Sequence, residues 1–464
     1  MPLRDDLEAV TAFSALVRAG RAYPCLLDSG AGFPALGRRS YVASDPFLVV
    51  HAKGDRARLA WPREGREERW TGNPLHLLAE LLRAHAAPPG PFPLACGGAV
   101  GYLAYDLFHH VETIPRRSRD DLGTPDLFFG FYDAVGAFDH RDGSATLALS
   151  PRAGARDRAD EVQTLWAGLA ESPAPTRTEA PLPAASTIEA NFTPAEYRAA
   201  VRRVKELIAA GDVYQVNLSQ RFSVPCAEAP EAFYGRLRAA SPAPFGACLL
   251  PDGFAVLSNS PERYLSIEGD RIETRPIKGT RPRGRTAEED RRLAEELRRS
   301  EKDRAEHVMI VDLERNDLGR VCAYRSVHVP EFEVIESYAN VHHLVSTVAG
   351  RVHPSKSAVD CIRNSFPGGS ITGAPKVRAM EVIEELEPTS RGVYCGSIGY
   401  IDFSGRVDLS IAIRTAVLKD GRLNFQVGGG IVHDSDPEEE YQETLVKAQA
   451  FRKVVTGEGR LWTP

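Results

Sequence analysis

Apolar residues recur with a helical period at three places along the chain, and at two of them the same face also carries carboxylates. The first, FTPAEYRAAVRRVKELIAAGD at 192–212, is an ordinary amphipathic helix by pattern. Thr193-Pro194 reads as an N-cap followed by Pro at the first helical position, Ala200, Val201, Val204, Ile208 and Ala209 share a face, and Gly211 suits the C-terminal cap. The second, EKDRAEHVMIVDLERND at 301–317, places Glu306, Met309, Ile310 and Leu313 on one face with Asp303 a turn earlier. The third, PEEEYQETLVKAQAFRKVV at 437–455, strings Glu440, Glu443, Lys447, Phe451 and Val454 into one stripe. A buried carboxylate needs a partner. Two such faces brought together would form an oxygen-rich pocket of the kind that holds Mg²⁺ with a substrate anion. Held apart, they are solvated surface, with Glu443 and Lys447 an ordinary i, i+4 pair.

Strand patterns fill much of the remainder. LFFGFYDAVGAF at 127–138 reads as one aromatic and β-branched run, and FLVVHAKGD at 47–55 ends in a turn signal. Residues 172–192, rich in Pro, Ala, Thr and Ser, have no periodic apolar face and read as a linker. The expected organisation is therefore an N-terminal region over 1–171, the linker, and a chemistry-bearing segment over 193–455. Strands and helices alternate through that last segment, which indicates a mixed α+β fold.

Composition narrows the function classes. The chain has 464 residues, 43% hydrophobic and 26% charged, as in ordinary globular proteins. A net charge of −6 argues against a phosphate-tracking surface, so no nucleic-acid partner is expected despite the arginines at 275, 281, 283 and 285. Seven scattered cysteines without a C-x-x-C pair fit a reducing compartment. With no secretory pattern and no run of about 18 apolar residues, the expectation is a cytoplasmic protein that does not enter a membrane.

Two segments are glycine-rich at strand–helix junctions, FPGGSITGAPK at 366–376 and VGGGIVHDSD at 427–436. Glycine lets backbone N–H groups approach an anion closely. The first is not a Walker A loop, because Ala374 and Pro375 stand where Lys and Ser/Thr belong. Carboxylate recognition, aided by Thr372 and Lys376, and plain tight turns both remain open.

These segments resemble a known family. SPER at 260–263, PIKGTRPRG at 276–284, AEHVMIVDLERNDLGRV at 305–321, HLVSTVAG at 343–350, FPGGSITGAPK, YCGSIGY at 394–400, AIRTA at 412–416 and GGGIVHDSDPEEEYQETLVKA at 428–448 follow one another in order. In that order they resemble the chorismate-utilising enzymes, a family of anthranilate, aminodeoxychorismate, isochorismate and salicylate synthases. The resemblance implies a fold of two antiparallel β-sheets packed across each other with helices outside, the segments before and after the linker sharing one composite core. It also implies Mg²⁺ as cofactor, with Glu306 and Glu443 as main ligands and Asp303 and Glu440 near the ion. Arg414 would grip the enolpyruvyl carboxylate. Thr372, Tyr394, Lys447 and the backbone of Gly428, Gly429 and Gly430 would complete the substrate contacts. Glu262 would be the general acid at the C4 hydroxyl, with His343 beside it.

Two positions discriminate within the family. Water-adding members carry a lysine where this chain has Gln215, and an amide cannot take a proton from water. At Lys278 anthranilate synthases have alanine, whereas aminodeoxychorismate synthases have lysine, whose amine, its pKa lowered by burial and by Arg281, can attack C2 of chorismate. The resemblance thus implies C4 amination of chorismate, with ammonia from solution or from a separate glutamine amidotransferase subunit. The alternatives are an anthranilate synthase component and a non-catalytic chorismate- or tryptophan-binding protein, whose pocket PCLLDSG at 24–30 and Ser40 would mark.

Overall fold

The computed structural model describes residues 3, 7–30, 33, 36–151, 158–169, 188–338 and 341–456. Its described strands form two antiparallel sheets of eleven and twelve strands, with helices packed outside them. Both sheets take strands from both sides of the linker. Cys25–Asp28 pairs with Phe245–Leu249 in the first sheet, and Gly98–Leu103 pairs with Ser397–Asp402 in the second. The first 150 residues and the rest of the chain therefore share one core and are not two stacked units. Of the expected linker, 172–187 lie outside the described residues. Its last residues are already structured, because Glu189–Ala190 pairs with Gln215–Pro225 at the sheet edge.

The run at 127–138 is two strands, not one. Leu127–Tyr132 lies in the twelve-stranded sheet and Ala134–Asp139 in the eleven-stranded sheet. Between them Asp133, buried and bound by Arg63, marks where the chain changes sheet. A period of two cannot report this, since each half faces the core in its own sheet.

Two further crossings of this kind lie side by side, and they build the site. Phe254–Ser260 in the first sheet continues into Arg263–Glu268 in the second through Pro261 and Glu262. Its neighbour runs the other way, from Val407–Ile411 in the second sheet to Thr415–Lys419 in the first through Ala412, Ile413 and Arg414. The two corners are laced by Ile411 N–H to Glu262 O and Asn259 N–H to Arg414 O, both 3.0 Å. Arg414 makes its bend at φ +49°, in the left-handed region.

All three expected helices form. Pro194–Ala209 opens with a full capping box between Thr193 and Glu196, and Gly211 has φ +82°. Its buried stripe is Tyr197, Ala200, Val201, Val204 and Leu207; Ala209 is exposed, so the expected stripe is off by a residue at its end. Glu301–Gly319 buries His307, Ile310, Val311, Glu314, Asp317 and Leu318, a face rotated from the one read in the sequence. Pro437–Thr456 packs along Arg422–Ile431.

Candidate active site

Lys278 lies on the strand Ile277–Pro282, opposite Leu344. The ladder is bulged immediately after it, at Gly279 with φ +79°. A Cβ at Gly279 would come 2.8 Å from Leu297, on the helix Ala287–Arg299, and 3.0 Å from Asp303, so the strand lies flush against that helix and the acidic Glu301–Gly319 helix. Lys278 Nζ donates to Ser370 O at 2.9 Å. Burial lowers the pKa of this amine, overriding the opposite pull of Glu306 and Glu262, and the Lys447 charge adds to the lowering. Arg281, expected to supply that second cation, instead pairs with Asp303 at 3.0 Å.

Glu262 is buried at the sheet corner. Burial pushes its carboxyl up to about 7, against the Ser370 hydrogen bond, the Lys278 charge and the N–H of Ile277, which reaches Oε1 at 3.4 Å. The acid and the amine are close enough for each charge to act on the other's pKa. On the neighbouring strand His343 faces Thr280, whose Oγ1 lies 3.0 Å from Nδ1. Burial, helped by the Arg414 charge, holds this imidazole neutral with its pKa down to about 3, and its buried Nε2 has no partner.

Arg414 is the other unusual group. Burial lowers the pKa of its guanidinium, and no carboxylate pairs with it among the described residues. An unpaired guanidinium in a corner is ready for an anionic ligand. Tyr394 is brought alongside, because Cys395 N–H donates to Ala412 O at 2.9 Å.

The glycines at 428–430 lie inside the strand Arg422–Ile431, not in a loop as expected from the sequence. They pair with Ser219, Leu218 and Asn217. The N–H groups of Asn217 and Ser219 point away from this partner, to Thr372 O and Glu387 Oε1, each at 2.8 Å. By antiparallel alternation Gly428 and Gly430 also turn their backbone groups away from the pairing. Lys447 Nζ accordingly donates to Gly428 O at 2.8 Å. Thr372 spends its hydroxyl on Gly368 O at 3.0 Å, so it braces the loop in this state.

The two acidic faces do meet. A Cβ at Gly429 would lie 3.2 Å from Glu440 Oε2, 3.5 Å from Glu443 Oε1 and 3.9 Å from Lys447 Nζ, so bare backbone makes room for two carboxylates. Burial raises the pKa of Glu306, resisted by Lys278 and Lys302 and reinforced by Asp303 and Glu440. Glu440 is likewise raised by burial, although Ser435 donates to it at 2.6 Å. Burial pushes Glu443 up too, but its pair with Lys447 at 2.7 Å outweighs that and leaves it lowered. Among the described residues no three such groups stand close enough to enclose a metal by themselves. The donor set nonetheless fits Mg²⁺, which takes one or two carboxylates and completes its shell with water and substrate oxygens.

Sequence reasoning missed the frame behind these groups. Glu314, buried on the Glu301–Gly319 helix, accepts the Gly369 N–H at 2.9 Å. Lys376 is bound to Asp317 and to the carbonyls of Ser365 and Pro367, so it clamps the loop and is not free for a ligand. Arg391 donates to Glu387, to Ile371 O at 2.9 Å and to Asn217 O at 2.7 Å. Spacing gave no signal for these, since each charge is oriented by a partner distant in sequence or in a turn without a period.

A family model described as chorismate binding enzyme matches residues 37–453. The chain is 42% identical to aminodeoxychorismate synthase component 1 of Bacillus subtilis (strain 168), over 94% of this chain and 92% of that one. It is 43% identical to anthranilate synthase component 1 of Thermus thermophilus, over 83% of each. Among solved structures, anthranilate synthase component I from Streptococcus pneumoniae TIGR4 superposes with a TM-score of 0.78 at 35% identity, covering 89% of this chain and 91% of that one. The menaquinone-specific isochorismate synthase from Escherichia coli shares the fold, with a TM-score of 0.74 at 18% identity over 98% of this chain and 93% of that one. With the family model spanning both sheets and these relatives aligned over most of its length, the chain belongs to the chorismate-binding enzyme family.

Proposed function

We propose that the protein aminates chorismate at C4 to give 4-amino-4-deoxychorismate. The observation that carries this is Lys278, an amine with lowered pKa held by Ser370 O beside the protonatable Glu262. Overall identity does not separate the aminating branches, since relatives of both match at 42–43%. The residue at 278 does.

In the proposed reaction the neutral amine of Lys278 attacks C2. The two ring double bonds shift, the C4–O bond breaks, and Glu262 gives its proton to the departing oxygen, which leaves as water. Ammonia then adds at C4 in the reverse sense, the double bonds return, and the C2–N bond to the lysine breaks. Burial serves both groups in the direction each requires, keeping the acid protonated near neutral pH and the amine free of its proton. Arg414 would hold the enolpyruvyl carboxylate, with Tyr394, Thr372, Lys447 and the Gly428–Gly430 backbone at the remaining anionic groups and His343 beside the C4 hydroxyl. Glu306 and Glu443, with Asp303 and Glu440 close by, would hold Mg²⁺, which neutralises and orients the ring carboxylate when bound.

Ammonia would come from a separate glutamine amidotransferase subunit, as the component naming of the Bacillus relative suggests. A cytoplasmic location is consistent with seven unpaired cysteines. No described helix is long and apolar enough to cross a membrane.

The test is product identity with chorismate, Mg²⁺ and ammonium salt, for wild type and Lys278→Ala. Wild type should give an amino product that a separate lyase converts to 4-aminobenzoate, lost or diverted in the variant. Anthranilate made directly by wild type would refute the proposal.

A further inference from the structure

The helix Glu301–Gly319 meets Lys278 at both ends of that side chain. At the backbone end, a Cβ on the next residue, Gly279, would lie 3.0 Å from Asp303, and Arg281 pairs with Asp303 at 3.0 Å. At the tip, Lys278 Nζ donates to Ser370 O at 2.9 Å, and the neighbouring Gly369 N–H donates to Glu314 Oε1 at 2.9 Å. We propose that Glu314 is a positioning residue, which holds the loop at Gly369 and thereby fixes the Ser370 carbonyl and the Lys278 amine bound to it. This rests on the lysine reading above and deepens it.

Glu314 is buried, and helix and loop touch directly at this point. A Cβ at Gly369 would come 2.7 Å from Leu313 and 3.0 Å from Glu314 Oε1, too close for water to intervene. The flanks of the loop are anchored separately. Asp317, on the same helix, binds Lys376, which donates to Ser365 O at 2.9 Å and to Pro367 O at 2.8 Å. Beyond Ser370, Arg391 holds Ile371 O at 2.9 Å. Glu314 therefore sets the middle of the loop, where the amine is received.

Glu306 lies on the same helix, about 12 Å from Glu314 along the axis at 1.5 Å per residue. In the proposed reaction Glu306 helps to hold Mg²⁺ and with it the ring carboxylate. One rigid element would then set both where the ring lies and where the amine stands. The Ser370 carbonyl suits the amine, because it only accepts, binding one N–H and leaving the lone pair of neutral Lys278 free to attack. At 314, glutamine keeps an oxygen that can accept the Gly369 N–H, and alanine does not.

The experiment mixes each protein with chorismate and Mg²⁺ without ammonium, so that Lys278 attacks C2, water leaves from C4 and nothing displaces the lysine. The adduct on Lys278, chorismate less one water, is followed by mass spectrometry of quenched samples. Wild type is compared with Glu314→Ala, Glu314→Gln and Gly369→Ala, the last of which pushes the loop off the helix with Glu314 intact. Tm, and kcat and KM with ammonium salt, are measured alongside. Both alanine variants should slow adduct formation and kcat roughly 10- to 100-fold, the cost of moving a reacting group by about 1 Å. KM for chorismate should stay nearly constant, and Glu314→Gln should form adduct close to the wild-type rate. Should one alanine variant not fold, the other is read the same way. Adduct formation at the wild-type rate in a folded alanine variant, even with lowered Tm, overturns the proposal, as does a glutamine variant as slow as Glu314→Ala. Wild type that forms no adduct would overturn the lysine reading itself, and this proposal with it.

Discussion

Replacing Glu262 by glutamine should stabilise the folded protein at alkaline pH while abolishing most of its activity. The carboxyl is buried, and its pKa rises from the ordinary 4.5 to about 7 on folding. Between those two values the folded chain keeps a proton that the unfolded chain has released. Stability contributed by this residue is therefore intact below the unfolded value, falls as pH rises through the window, and is lost in full above about 7. At about 1.4 kcal/mol per pH unit the ionised carboxylate costs the fold about 3 kcal/mol. Part of this is offset, because the carboxylate attracts the Lys278 charge, which glutamine does not. A net gain of about 1 to 3 kcal/mol remains for Glu262→Gln above about pH 8. The assay is urea unfolding of both proteins across pH. The gap between them should be constant below about pH 4, open through the window, and level off above it. In the proposed mechanism Glu262 is the general acid, so its loss should lower kcat by roughly 10²- to 10⁴-fold at every pH. A stability gap that does not change with pH would refute the burial argument, and a glutamine variant less stable at high pH would reverse it.

Two further predictions concern the anion and metal contacts. Arg414→Gln removes a guanidinium that no described carboxylate balances, so KM for chorismate should rise roughly 10- to 100-fold with no loss in Tm. An unchanged KM would show that the enolpyruvyl carboxylate is held elsewhere. Glu306→Gln and Glu443→Gln should each raise the Mg²⁺ concentration that half-saturates activity by roughly tenfold or more. Activity in wild type that survives exhaustive chelation would remove these carboxylates from the mechanism.

The capped helix at 194–209, the two carboxylate-bearing helices and the ordered motifs were legible in the chain, because period, capping and turn chemistry are local properties. Lys278, Glu262 and Arg414 could be named there as well, since each stands in a short motif with its own chemistry. Their environments could not. Glu262 becomes an acid near neutral pH because the chain changes sheet beside it, and Arg414 meets that corner because a neighbouring strand changes sheet in the opposite direction. Such crossings leave no period, which is why 127–138 read as one strand. Gly428–Gly430 read as a loop for another reason, since three glycines carry no side-chain pattern to mark a strand. Burial decided the remaining charges. Arg281 was drawn to Asp303, Lys376 to Asp317, and Glu314 turned inward to the Gly369 N–H. Spacing alone showed none of these, because a charged side chain on a helix is directed by the partner across from it, and that partner lies far away in sequence. The sequence by itself determined which reactive groups the protein carries; tertiary packing, by setting their solvation and their neighbours, decided which are shifted in pKa, which are paired and which are left open to a ligand.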